Sequence, residues 1–184
     1  PSVFMNFKRS IFVLKGIEMS LLMGFESMKF FSLYGLAAVI IVIIPNFAFA
    51  KKGRETRLDD VDTAGVLASF LEVVARICLT LALVLMRMPE RMDVLGICAG
   101  AALLIYFILW IRYFKDGCYY PDIYLKSFVG IPVPFDVFIS LYFIMASLWL
   151  SNIVALGFSL VYAVSRMLNA LAARRDLKAR PAAE

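Results

Sequence analysis

A twenty-three-residue run, Val66 to Met88, reads VLASFLEVVARICLTLALVLMRM and constrains this chain more than any other stretch. It is long and apolar enough to cross a bilayer, yet it carries Glu72 and Arg76 within the apolar run. Four residues apart on a helix, the two side chains share one face, one turn apart, with the acid N-terminal to the base. An ionisable group at that depth costs a few kcal/mol on insertion scales, so it faces protein or water and has a partner. The chain therefore reads as an integral membrane protein with an intramembrane charge pair, and the residue next door supplies the first partner.

Composition supports the membrane reading. Of 184 residues, 62% are hydrophobic and 18% charged, against about 25% charged in a soluble domain. The absence of histidine removes the commonest metal ligand and general base. Cys78, Cys98 and Cys118 form no CxxC pair, so neither a disulfide framework nor a thiol redox motif is expected. The net charge of +5 gathers at span ends and in the C-terminal tail, which suits a membrane surface and not a nucleic acid. No cofactor, metal or catalytic set is expected.

Hydropathy divides the chain into an N-terminal extension or amphipathic segment over 1–29, a five-helix transmembrane domain over 30–171, and a basic tail over 172–184. Lys15, Glu18 and Glu26 make the first segment too polar to span, and Met23 and Met28 both read as start sites. The spans fall at about 30–50, 66–88, 94–114, 135–150 and 152–171.

The first span competes with a signal peptide, because Ala48-Phe49-Ala50 resembles a cleavage site. Charge decides for a retained span. With the N-terminus outside and the C-terminus cytoplasmic, Lys51, Lys52, Arg54 and Arg57 lie inside with Arg112, Lys115 and Lys126. Arg166, Arg174, Arg175, Lys178 and Arg180 join them. Cleavage would turn all of these outward, against the positive-inside rule. The expected fold is an all-α bundle of five transmembrane helices in the bacterial cytoplasmic membrane.

Polar residues mark the remaining candidates. Pro45 frees a carbonyl one turn back, and Asn46 can bond the loosened backbone or a neighbouring helix. Asp59, Asp60 and Asp62 invite a metal reading of the phosphatidyl-alcohol transferase kind. Ala75-Arg76 matches that pattern, but its Asp-Gly pair and downstream aspartates are missing, so capping of the second helix is expected. Asp136 falls in the first turn of the fourth span, either as a terminus residue or as an acid facing a vestibule. The candidate polar site is thus Glu72, Arg76, Asn46 and Asp136.

Small residues mark the packing faces. Gly96 and Gly100 form a GxxxG step, and Ser151, Ala155, Ser159 and Ala163 recur at four-residue spacing. Asn152 reads as an N-cap within a tight hairpin between the last two spans. Tyr106, Trp110 and Tyr113 read as an interfacial aromatic anchor, Arg166 as a residue snorkelling to the inner interface, and the end of the tail as disordered on anionic lipid.

At FLEVVARIC the chain resembles a family of small multi-spanning bacterial membrane proteins, mostly of Gram-positive type, with no established activity. The likeness rests on Pro45, Asn46, Lys51, Lys52, Glu72, Arg76 and Cys78, extends to about Leu171 and leaves residues 1–27 unmatched. It implies the architecture and no particular function.

Three functions are compatible with these residues to different degrees. A transporter or its subunit would use Glu72 and Arg76, with Asn46 and Asp136 as polar wall, but no inverted repeat is visible. An intramembrane enzyme lacks a nucleophile beside a base. A non-catalytic accessory, regulatory or protective component fits best, binding lipid and either a membrane-protein partner or a second copy of itself.

Overall fold

The computed structural model describes residues 32–52, 64–85 and 94–179. Residues 1–31, the aspartates Asp59, Asp60 and Asp62 expected to cap the second helix, residues 86–93 and the last residues of the tail lie outside them. Six helices make up the described chain: α1 Leu33–Lys52, α2 Val66–Leu85, α3 Val94–Lys115, the short α4 Asp122–Leu125, α5 Pro134–Trp149 and α6 Ile153–Ala179.

Three of these, α2, α3 and α6, are long and apolar enough to cross a membrane. Two more, over Leu33–Phe49 and in α5, are apolar but shorter. The sixteen residues of α5 rise only about 24 Å at 1.5 Å each, less than the ~30 Å hydrocarbon core. Large apolar side chains stand outward along the long helices, among them Leu67, Phe70 and Ile77 on α2 and Ile97, Leu104 and Ile111 on α3. Outward apolar surface on helices of this length is the pattern of a helical membrane bundle.

Because lipid is as apolar as leucine, such helices associate through close packing and interhelical hydrogen bonds rather than by escaping water. Helix α2 runs along α6, α3 along α5, and α5 along α6, while α1 leans chiefly on α2. The buried stripe of α2 is Ala75, Leu79, Ala82 and Leu83, a helical repeat that alternates small and large. On α6, Ala155 and Ser159 are both wholly inaccessible.

The closest approach is at Gly35 of α1, where an added Cβ would lie 1.8 Å from the Leu83 carbonyl oxygen. Ser32 holds that contact. Its hydroxyl accepts the Gly35 N–H at 3.0 Å and so caps α1, while its own N–H donates to the Val84 carbonyl at 2.7 Å.

Of the expected GxxxG pair, Gly96 is the close packer: its Cβ would meet the Trp149 indole at 2.9 Å. Gly100 is exposed with nothing within 4 Å of the same position. The buried face of α3 runs through Ala99, Ala102, Tyr106, Leu109, Trp110 and Tyr113, and Gly100 is rotated off it. That face includes the aromatics expected as an interfacial anchor. Tyr106, Trp110 and Tyr113 are buried, and Trp110 packs edge-on to Phe135 of α5 at 5.2 Å. Phe49 of α1 closes the cluster at 5.5 Å from Trp110.

Asn152 performs the expected cap and more. Its side-chain oxygen accepts the Ala155 N–H at 2.9 Å, and its amide donates across to the Ala82 carbonyl of α2 at 3.0 Å. Ser151 makes the reversal possible with φ 51, a left-handed conformation that fits the tight α5–α6 turn. Helix α6 then continues past the expected end at Leu171 to Ala179, carrying the basic residues Arg174, Arg175 and Lys178 on regular helix.

Candidate functional site

Glu72 lies on the side of α2 that meets α6, and α6 returns three polar or aromatic side chains to it. Arg166 Nη1 donates to Glu72 Oε1 at 2.8 Å. Asn169 donates its amide to Glu72 Oε2 at 2.8 Å, and its oxygen accepts the Ala64 N–H at the foot of α2 at 3.2 Å. Arg76 pairs with Glu72 from the same helix, as their spacing requires. Tyr162 offers its ring to both guanidiniums, with Arg76 at 5.7 Å and Arg166 at 5.8 Å from the centroid. Both distances lie within cation–π range.

Asp136 enters from α5. It stands in the first turn of that helix and its side chain is only 3% exposed. Its Oδ1 lies 2.7 Å from Arg166 Nε. Arg166 therefore sits between two carboxylates carried by different helices and does not snorkel outward. The exposures differ sharply: Arg76 keeps half its side-chain surface, Glu72 only 13%. Arg166 is the shared counter-ion of the site, and Arg76 is its outer edge.

Two acids and two bases thus neutralise one another where α2, α5 and α6 meet. In a medium of low polarity, mutual pairing is the condition for keeping such groups charged. The second oxygen of Asp136 is different. Oδ2 is buried and has no hydrogen-bond partner among the described residues, and the same holds for Ser69 Oγ on α2.

Both residues line a cavity of about 220 Å³ that also touches Glu72, Arg166, Tyr120 and Tyr124. It extends toward the connection between α3 and α5, beyond the apolar spans. Tyr124 lies in α4, and burial holds its phenol well above the ordinary value, so it keeps its proton. Its hydroxyl is 3.4 Å from that of Tyr120.

Of the four residues expected at a polar site, Glu72, Arg76 and Asp136 come together. Asn46 does not join them. Its amide donates to the Val42 carbonyl of its own helix at 2.9 Å, one turn back, where Pro45 interrupts the α1 ladder. Arg166 and Asn169 belong to the site although the sequence reading gave neither a role there. A signal for them existed: Tyr162, Arg166 and Asn169 follow Ala155 and Ser159 at alternating steps of four and three, on the same helical face.

A second ionic group lies outside the apolar spans. Lys126 Nζ is 2.8 Å from Asp122 Oδ2 and 2.9 Å from Asp116 Oδ2. The hydrogen bond from Lys126 holds the Asp116 carboxyl below its ordinary value, and the bonds to Asp122 and Asp116 raise the Lys126 ammonium. Among the described residues no group of three or more Cys, Asp or Glu is placed to hold a metal.

Fold and site together define a helical-bundle membrane protein with a buried ionic clasp joining three helices. Comparison with known proteins finds no matching family model, no matching curated protein and no matching solved structure.

Proposed function

We propose that the chain is a non-catalytic accessory, regulatory or protective component of a bacterial cytoplasmic membrane, and that it crosses that membrane five times. In this reading α1 and α5 are the two shorter spans, the N-terminus is outside and the C-terminus cytoplasmic. Relationship to the small multi-spanning bacterial family noted above is part of the same proposal. The observation that carries it is the clasp. Arg166 pairs with both Glu72 and Asp136, so charge is spent on fixing α2, α5 and α6 to one another. Arg112 and Lys115 at the end of α3, Lys126 before α5, and Arg174, Arg175 and Lys178 on α6 supply the basic side expected to face the cytoplasm and its anionic lipid.

A second reading, a small transporter or transporter subunit, draws on the cavity that reaches Glu72 and Asp136. Thermal unfolding in detergent separates the two. Glu72→Leu and Arg166→Leu are each expected to lower stability, and the triple variant that adds Asp136→Leu to both is expected to recover much of the loss, because breaking a buried ionic cluster costs more than replacing it whole. Variants as stable as the parent, or more so, would mean that the charges are kept at the expense of stability. The transport reading would then take precedence, and flux in liposomes would be measured. Reporter fusions at each loop test the five-span topology: a reporter active outside when placed after α6 refutes it.

A further inference from the structure

We propose that the groove between the start of α2 and the C-terminal half of α6 binds one anionic phospholipid, with an acyl chain in the groove and the phosphate on Arg175 and Lys178 of α6. The proposal rests on the reading of a basic bundle face against anionic lipid and deepens it, by giving a single lipid a defined place.

Shape and polarity select an acyl chain. The groove has a volume of about 500 Å³, within the range of ligand sites. Its walls are Leu67 and Leu71 of α2 and Leu160, Val164 and Leu168 of α6, all exposed. Small residues give it depth: between those walls Ala68 is half-buried and Ser165 buried. The Ser165 hydroxyl turns back to its own helix, 2.8 Å from the Val161 carbonyl and 3.1 Å from that of Tyr162. Among the described residues no charged side chain lines the groove, so it suits hydrocarbon. From Leu160 to Leu168 it runs about 12 Å along α6 at 1.5 Å per residue, most of one ~15 Å leaflet of the hydrocarbon core.

Charge complementarity selects the headgroup. The Ala64 N–H bonds Asn169, which sets the foot of α2 level with that residue, and α6 continues beyond it to Ala179. The inner face of this overhang, Ala170, Ala173 and Leu177, is buried. Its outer face carries Arg175 and Lys178, both exposed. Arg175 follows Leu168 by about two turns and so continues the line of the groove, and Lys178 is its neighbour at i+3. Arg175 stands about 9 Å beyond Asn169 along the axis, against about 5–8 Å of headgroup on each side of a bilayer. Helical side chains lean toward the N-terminus, which for these two is the direction of the membrane. A guanidinium and an ammonium thus come to phosphate level above the acyl cleft, and the guanidinium can meet a phosphate through paired N–H groups. Asp176, the acid of the overhang, is turned about 100° from Arg175 and stands off this line.

The experiment is a thermal-shift titration of the full chain in dodecyl maltoside, with native mass spectrometry to count bound lipid. The probes are dioleoyl phosphatidylglycerol, dioleoyl phosphatidylcholine and soluble glycerol 3-phosphate. Phosphatidylglycerol should raise the melting temperature saturably, with a single lipid retained. Phosphatidylcholine should act about tenfold more weakly, and glycerol 3-phosphate should do nothing. Arg175→Gln/Lys178→Gln should reduce the phosphatidylglycerol response to that of phosphatidylcholine. Arg112→Gln/Lys115→Gln, which removes the same charge from the end of α3, should leave the preference in place. Ala68→Phe, which fills the groove, should weaken both lipids; should that variant fail to fold, Val164→Trp on the exposed wall replaces it. Equal loss of preference in the two charge variants overturns the site and leaves only diffuse attraction of the basic face for anionic lipid. A response that glycerol 3-phosphate reproduces, or that groove filling leaves unchanged, overturns it equally. No preference for phosphatidylglycerol in the parent would remove the basic-face reading along with the site.

Discussion

Arg166 of α6 stands 2.8 Å from Glu72 of α2 and 2.7 Å from Asp136 of α5, and so holds two helices that no loop in the described chain connects directly. A guanidinium suits this place. Its charge is permanent, so it serves both acids, donating a hydrogen bond to Glu72 through Nη1 and facing Asp136 as an ion pair.

Loss of Arg166 should therefore cost far more than loss of Arg76. Arg166→Met leaves two carboxylates short of a counter-ion at low polarity, and stability should fall by about 3 kcal/mol. Arg76→Met removes a half-exposed partner, and a change of about 0–1 kcal/mol is expected. Unfolding in mixed micelles of increasing SDS content measures both. Equal losses would show that the two arginines share the load.

Asn152 secures the other end of the same helix pair. Asn152→Ala removes a cap worth about 1 kcal/mol and a bond across to Ala82 worth about another 0.5–1.5 kcal/mol. Asn152→Ser should keep most of the cap and lose only the bridge, so its loss should be about half as large. Identical destabilisation by both substitutions would assign the whole effect to the cap or to packing.

Two glycines should respond in opposite directions to the same added methyl group. Gly35→Ala drives a Cβ into the backbone carbonyl of Leu83, forces α1 away from α2, and should cost about 1–3 kcal/mol. Gly100→Ala meets nothing and removes a helix-disfavouring residue, so stability should hold or rise by up to about 1 kcal/mol. The same unfolding assay decides, and a stabilised Gly35→Ala would deny the close contact.

The Asp116–Lys126–Asp122 group predicts a pH window for the connection between α3 and α5. A depressed acid contributes stability above its unfolded pKa, about 3.9 for Asp, and loses it as pH falls through the folded value. Lys126 is raised, so its contribution is complete below its unfolded pKa, about 10.4, and is lost as pH rises through the folded value. Order should thus be greatest between about pH 4 and 10. Carbon NMR titration of Asp116 should show its midpoint move up toward the ordinary value in Lys126→Met. An unmoved midpoint would assign the depression to another group.

Much of the helical layout was legible because hydropathy and local spacing are properties of contiguous residues. The start of α2 at Val66 and of α3 at Val94 matches the pattern of apolar residues, and the Glu72–Arg76 pair follows from helical geometry alone. What failed to carry over were faces inferred from strict four-residue spacing. Four residues turn a helix by about 400°, so each step drifts about 40° from the last. Ala155 and Ser159 are buried, but Ala163, one step further, is only half-buried; the true face turns instead through Tyr162 and Ser165. The same drift takes Gly100 off the face on which Gly96 packs.

The sequence by itself determined a membrane-capable helical chain, the positions of its long apolar helices, the cap at Asn152 and the charge pair within α2. Each of these is set within about one or two turns of backbone. Tertiary structure alone decided that Arg166 turns inward, that Asp136 becomes its second acid, that Asn46 stays with its own helix, and that Asp136 and Ser69 face a common cavity. Those outcomes depend on which helices lie side by side. In lipid that choice rests on close packing and on matched polar groups distant in sequence, and no local pattern records which of them will meet.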